Sequence, residues 1–317
     1  MKTVIGARAS AILYNWLLSN NIRGRVLIPC NICESVPASY MKAGCDVVFC
    51  DIQKDNWSID IEYTKQIIKK KGVQILHFNH TYGKITKEDA IFFETIKALY
   101  PNLIIVDDKC LCIPSFSNEK NADITLYSTG YSKYLYVNGG GYGCMTNKYN
   151  YQNHLKTYSK NAEEMFNKHV KECHTKHTPV DMNIMLSDWI SFDFDDGSYF
   201  DRMFNQKEKT DKHKKIINEI YSEIPGSLPM EYNYWRYNIL VENADECKKK
   251  LFDNYLFCSH HYMSLCNGYF SPEETPNANY LEKHVLNLFN DFCYTEEQAI
   301  KTTELLKNIA KPVERNI

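Results

Sequence analysis

Lys133 sits in a polar loop between two largely apolar, strand-like runs, 123–127 before it and 142–145 after it. Lysine is normally kept on solvated faces, so such a placement is unusual. A lysine that condenses with a carbonyl needs a half-buried, loop-held position of this kind, where desolvation is expected to lower its amine pKa. The stretch that carries it reads Ser128-Thr129-Gly130-Tyr131-Ser132-Lys133 and continues into Asn138-Gly139-Gly140-Gly141-Tyr142-Gly143. The glycines let the backbone turn tightly. Asp108 closes the apolar run 103–106 and is a candidate buried carboxylate, although a strand-end aspartate capping the next turn is the plainer alternative. Gly6 and Ala7, with Arg8, precede a helix-spaced segment, so backbone N–H groups with small neighbours could receive a phosphate there. A simple helix start at residue 8 and a solvated lysine at 133 are the bland readings of the same residues.

The elements around these residues decide between the readings. Ala9, Ile12, Leu13, Trp16 and Leu17 fall at helical spacing, which predicts a helix from near Arg8. Strands are predicted at 25–29, 46–50, 73–78 and 103–106, with helices at 36–43, 61–71 and 88–99 between them. This alternation at crossover spacing predicts an α/β fold, a mostly parallel central sheet with helices on both faces. In such sheets ligands gather at the carboxyl ends of the strands. His80, Asp108, Ser128 and Lys133 all lie just beyond those ends. From Tyr149 to about Ser222 the chain is polar and helix-prone, with an interruption at Thr178-Pro179. A linker at 225–229, a strand at 234–241 and helices at 245–253 and 296–310 predict a small α/β C-terminal domain. The expected division is a large domain over residues 1–224 and a small one over 225–317.

Composition narrows the function. A net charge of −2 with both signs dispersed gives no footprint for nucleic acid or an anionic membrane surface. No apolar run approaches the roughly 18 residues needed to span a bilayer, and the N-terminus has no signal-peptide core. A cytoplasmic location is the expectation. Cys30-x-x-Cys33 and Cys110-x-Cys112 lack a matching second pair at zinc-site spacing, so no metal is expected and the thiols read as buried and reduced. Neither G-x-G-x-x-G after a first strand nor G-x-x-x-x-G-K-S/T occurs, which disfavours a generic nucleotide-binding protein.

Pyridoxal 5'-phosphate chemistry asks three things of a protein: a lysine to hold the aldehyde as an imine, a carboxylate to keep the pyridine nitrogen protonated, and amide and hydroxyl groups to anchor the phosphate. Lys133, Asp108 and the Gly6-Ala7-Arg8 helix start with Ser128 could supply them. On these residues the chain resembles the DegT/DnrJ/EryC1/StrS family, fold-type I PLP-dependent aminotransferases that act on nucleotide-linked keto-sugars. Gly6-Ala7-Arg8 sits where the family has Ser-Gly-Thr, and residues 29–35 resemble its Pro-Ala-Tyr-Thr segment, with Cys33 where an aromatic ring often stacks on the cofactor. His80-Thr81-Tyr82-Gly83 resembles the family's His-Leu-Tyr-Gly turn, and Asp107-Asp108 its Glu-Asp pair. Ser128 through Lys133 matches its Ser-x-x-x-x-Lys element, and residues 182–188 match the segment whose asparagine, here Asn183, reaches the phosphate held by the other subunit.

The resemblance implies a homodimeric aminotransferase that takes nitrogen from an amino acid, expected to be glutamate, and gives it to a keto-sugar. Lys133 and Asp108 would be its catalytic residues. Gly6, Ala7, Arg8, Cys33, His80, Asp108, Ser128, Lys133 and Asn183 would hold the cofactor. Arg236, His260, His261 and Tyr262 are candidate donors to the substrate. Departures leave alternatives open: Lys109 replaces a small residue, Leu111 a polar one and Met185 an arginine, and few residues precede Gly6, which implies a more open groove. An aminotransferase for a smaller ketone or keto-phosphate and a non-catalytic PLP-binding paralogue remain as readings. A sugar dehydratase of the family would carry histidine where Lys133 stands.

Overall fold

A computed structural model describes residues 1–195 and 197–314. Its main sheet has seven strands: β1 (Lys2–Gly6), β2 (Arg25–Pro29), β3 (Asp46–Cys50), β4 (Ile75–Asn79), β5 (Ile104–Asp108), β6 (Ile124–Ser128) and β7 (Gly141–Met145). Their order across the sheet is β1-β7-β6-β5-β4-β2-β3. β2 to β6 run parallel, whereas β7 pairs antiparallel with both β6 and β1. The α/β reading of the sequence therefore holds. The strand at 2–6 escapes it, because Lys2-Thr3 opens a half-exposed edge strand with little apolar signal.

Helices α1 (Ala9–Ser19), α2 (Ser35–Lys42), α3 (Ile61–Lys71) and α4 (Lys87–Leu99) cover the sheet. Strand residues alternate between two apolar layers, as the two-residue period of a strand demands. Val26, Ile28, Ile75 and Val106 join Ile12, Trp16 and Tyr40 on one face. Leu27, Leu76, Phe78 and Ile105 join Ile67, Phe93 and Ile96 on the other. Burial on both faces explains why these strands read as nearly continuous apolar runs.

The chain continues through α5 (Lys160–Lys176), α6 (Met182–Met185) and the long α7 (Tyr199–Tyr221). A second sheet, ordered β8-β10-β9, is built from β8 (Tyr237–Leu240), β9 (Cys258–Ser259) and β10 (Val285–Leu288), with α8 (Ala244–Asp253), α9 (Pro276–His284) and α10 (Glu296–Ile309). α7 serves both sheets. Tyr199 and Met203 pack with Tyr127 and Tyr142 of the main sheet. Ile217 and Tyr221 pack with Ile239 and Leu286 of the small one and with Leu306 of α10. The change of core thus falls within α7, before the 225–229 linker.

Gly141 shows how tightly the main sheet meets α1. A Cβ there would lie 2.8 Å from the Tyr127 carbonyl oxygen and 2.9 Å from the Ala9 nitrogen, both backbone atoms with no room to yield. Gly141→Ala is expected to lower unfolding stability by about 1–3 kcal/mol. Gly130→Ala, whose Cβ would meet only the Ser128 hydroxyl at 3.7 Å, should cost less. Urea unfolding of the two variants against wild type measures both.

Candidate active site

A cavity of about 370 Å³ opens at the carboxyl ends of β4, β5 and β6, bounded by the first turn of α1 and the Lys133 loop. Ala7, Arg8, Cys33, Asp108, Ser128 and Lys133 all line it. The sheet topology does the gathering: parallel strands end on one edge, so residues far apart in sequence meet there.

Asp108 is the buried carboxylate of the group. Its Oδ2 accepts from His77 Nε2 at 3.1 Å, and its Oδ1 accepts from the Cys110 backbone N–H at 2.9 Å. Burial raises its pKa, but the His77 and Cys110 bonds outweigh that and bring it to about 2. It is a carboxylate at neutral pH.

Another part of the cavity lining is backbone. Arg8 is the extended N-cap of α1; its guanidinium has no acceptor with which to cap the helix amides, and it pairs with Glu163. The first amides of α1, at Ala9 and Ser10, therefore border the cavity at the positive end of a helix. The glycine run holds this end in place. Gly140 N–H donates to the Ala7 carbonyl at 3.1 Å, and Thr129 N–H donates to the Gly140 carbonyl at 3.0 Å. Gly140 has φ +88°, and a Cβ on it would meet Phe194 at 2.5 Å. Ser128 thereby shares a wall with the α1 start.

Lys133 is half-buried in its loop, whose neighbour Ser132 is tied to Trp235 and Arg236 just before β8. The expectation of a lowered amine pKa is corrected here. Burial does pull it down, but the negative potential of Tyr262, Cys110, Cys33 and Asp108 more than offsets this and holds it above the ordinary lysine value. Burial pushes Tyr262 up to about 12 and raises both thiols as well, so Asp108 supplies the standing charge near neutrality.

Other expected site residues fall elsewhere. His80 borders the cavity, but its ring is committed to the opposite layer: Nε2 lies 2.7 Å from Asp107 Oδ1, and Nδ1 lies 3.0 Å from the Lys84 carbonyl. Neither nitrogen is left for a cofactor. Gly6 ends β1 against the Ile12 side chain and does not line the cavity, so the backbone bordering the cavity starts at Ala7. Asn183 is exposed on α6, outside the cavity of its own chain. Arg236 is buried against Ser132, Ser259 and the rings of Trp235 and Phe289, not directed to the cavity. His260 borders a separate cavity with His174 and Glu282, and His261 a smaller one of about 160 Å³ beside Lys133. Tyr262 alone of those four candidates reaches the main cavity.

The suspected departures at Lys109, Leu111 and Cys33 resolve differently. Lys109 pairs with Asp107 (3.3 Å) and Glu119 (2.9 Å) on the far face, so its bulk does not enter the cavity. Leu111 and Cys33 do line it, with Cys33 Sγ 3.2 Å from the Ser35 hydroxyl and no aromatic ring at that position. Sequence reasoning misses His77 and Asn79, which line the cavity from inside an apolar strand. A histidine and an asparagine two residues apart in a strand bounded by Ile75, Leu76 and Phe78 are the signal that was available. Asn79 Oδ1 is buried with no hydrogen-bond partner, an orphan that a bound ligand would satisfy. An ionised carboxylate, a lysine, an uncapped helix start, a serine and an orphan amide oxygen on one cavity fit pyridoxal phosphate.

No protein-family model and no curated protein matches the sequence. Solved structures do match the fold. A protein described as a sugar aminotransferase from Streptococcus pneumoniae, in its PMP form, superposes with TM-score 0.67 at 17% identity, over 97% of this chain and 86% of that one. A DegT DnrJ EryC1 StrS aminotransferase from Brucella abortus gives 0.66 at 15%, over 97% and 86%. The E. coli GDP-4-keto-6-deoxy-D-mannose-3-dehydratase with hydrated PLP gives 0.61 at 14%, over 97% and 88%. At these identities the likeness shows the fold: the chain has the fold-type I architecture of PLP-dependent aminotransferases.

The His80 ion pair gives a pH-dependent expectation. Burial would lower its pKa, but the charge and hydrogen bonds of Asp107 and Asp89 lift it to about 9 from 6.5. A raised folded-state value means the stabilisation is complete below about pH 6.5 and is lost as pH rises through about 9. The stability advantage of wild type over His80→Gln should reach about 3 kcal/mol at most and shrink across that window. Urea unfolding of both proteins between pH 6 and about 9.5 reads it.

Proposed function

We propose that the protein is a PLP-dependent aminotransferase that moves an amino group from an amino acid, glutamate being the expected donor, to a nucleotide-linked keto-sugar. The observation that carries this reading is the convergence of Lys133, ionised Asp108 and the uncapped α1 start on one cavity. Pyridoxal phosphate, when bound, supplies an electron sink that stabilises negative charge on the substrate carbon. The chain supplies the rest. Asp108 would hold the ring nitrogen's proton, while Ala9, Ser10 and Ser128 would hold the phosphate through amide and hydroxyl groups. Lys133 Nζ would anchor the cofactor covalently, then give and take the proton at the substrate carbon.

The sugar class is supported by the printed descriptions of fold neighbours, among them the sugar aminotransferase and the GDP-keto-sugar dehydratase. Retention of lysine at 133 favours transfer of nitrogen over dehydration. The non-catalytic reading loses one support, because Lys109 is turned away from the cavity. We propose further that two copies pair, bringing Asn183, which stands beside exposed Met182 and Leu186, to the partner's phosphate site. The twelve unpaired cysteines suit a reducing compartment, which favours the cytoplasm. Among the described residues no helix is long and apolar enough to cross a membrane.

Half-reaction spectroscopy tests the reading. Glutamate should convert the loaded protein to its amine-carrying form, and nucleotide-linked keto-sugars should reverse the change. Reversal only by small keto-phosphates would move the reading to that substrate class. Failure of every amino acid to discharge the cofactor would favour a non-catalytic role. Lys133→Ala should reduce turnover by about 10²–10⁴-fold or more with little change in urea midpoint.

A further inference from the structure

The Asp108 carboxylate does not stand alone. Behind it runs a chain of two buried side chains, Tyr40 from α2 and His77 from β4, each with 0% exposure. Tyr40 Oη lies 3.0 Å from His77 Nδ1, and His77 Nε2 lies 3.1 Å from Asp108 Oδ2. The two rings meet edge to face, with centroids 5.7 Å apart at 87°, so packing fixes the imidazole plane as well as its ends.

The chemistry of the three groups gives this chain one direction. An ionised carboxylate can only accept, so His77 Nε2 carries a hydrogen and donates it to Asp108. Burial pushes the Tyr40 phenol well above its ordinary pKa, so it keeps its O–H. A neutral imidazole with Nε2–H has its acceptor at Nδ1, where the Tyr40 hydroxyl donates. Tyr40 thus selects the tautomer, His77 holds Oδ2, and the Cys110 N–H holds Oδ1. The surrounding titratable groups are Cys45 beside Tyr40, Cys110 beside Asp108, and Lys133 and Tyr262 near Asp108.

Resting on the PLP reading above, we propose that Tyr40 and His77 are positioning residues that keep Asp108 a fully charged, fixed carboxylate toward the cofactor's ring nitrogen. A histidine within β4 and a fully buried phenol of α2 face each other through their polar atoms. A packing role alone would be filled as well by leucine and phenylalanine, with no polar atom to bury.

The test uses the full chain loaded with pyridoxal phosphate, comparing wild type with Tyr40→Phe, His77→Leu and His77→Gln. Two quantities are read: the cofactor dissociation constant and the pH midpoint of the visible band of the Lys133-linked cofactor. Loss of a hydrogen bond to a charged group should weaken binding about 10–100-fold in His77→Leu and about 3–10-fold in Tyr40→Phe. The band's midpoint should rise by about one pH unit in His77→Leu, because the linked nitrogen loses the full positive charge of its ring neighbour. Gln can still present an N–H to Asp108 and should recover most of both effects. Wild-type values in both Tyr40→Phe and His77→Leu, or equal impairment in the Gln and Leu variants, would overturn the proposal while leaving the PLP reading intact. A wild-type protein that binds no cofactor would overturn both. Should circular dichroism show His77→Leu unfolded, Tyr40→Phe, which removes a single oxygen, decides the matter.

Discussion

Two adjacent carboxylates at the end of a buried strand cannot share one environment, and much of this fold follows from how they are separated. The two-residue period of β5 sends Asp107 into one helical layer and Asp108 into the other. Each charge is then met from the neighbouring strand or just beyond its end. His80, Lys109 and Thr125 surround Asp107, and His77 meets Asp108. Burying an unmatched carboxylate is costly, so both partnerships are conditions for the strand to lie in the centre of the sheet at all. The Asp107 set is closed in its bonding: its partners are protein groups, and His80, which borders the cavity, has both ring nitrogens committed to protein atoms. The Asp108 set faces the cavity, with Lys133 on another of its walls.

That difference separates structure from chemistry within two residues. The closed cluster under the sheet fastens the turn after β4, with Asp89 capping α4 and approaching His80 from below. The open side depends on the reversal of chain direction at β7. Gly139 to Gly141 bring the chain back beside β6 and carry a strand that also pairs with β1, so the start of α1 comes to the carboxyl edge. An uncapped helix start and a lysine-bearing loop are thereby held on the same cavity as one carboxylate. The segment just before β8 ties Trp235 and Arg236 to Ser132, next to the lysine.

Much of this is legible in the sequence, for physical reasons. The parallel strands announce themselves because burial on both faces makes them continuous apolar runs, and the helices between them keep a clear apolar stripe. Lys133, Asp108 and Ser128 stand out because each is a polar residue at the edge of such a run. What escapes is what depends on direction. Nothing in the local pattern says that His80 turns to Asp107 while His77, three residues earlier, turns to Asp108, since that is set by strand register between β4 and β5. Lys109 likewise reads as an obstruction beside Asp108 until its side chain is seen on the far face. The sign of the Lys133 shift also escapes, because it depends on which charges the fold gathers around a half-buried amine, not on burial alone.

Borohydride trapping tests most directly whether Lys133 forms the covalent link to pyridoxal phosphate. The protein, incubated with the cofactor, reduced and digested, should yield one phosphopyridoxyl-labelled peptide, modified at Lys133. The visible band should disappear on reduction. A label on another lysine, or no label after saturating cofactor, would contradict the assignment of this cavity.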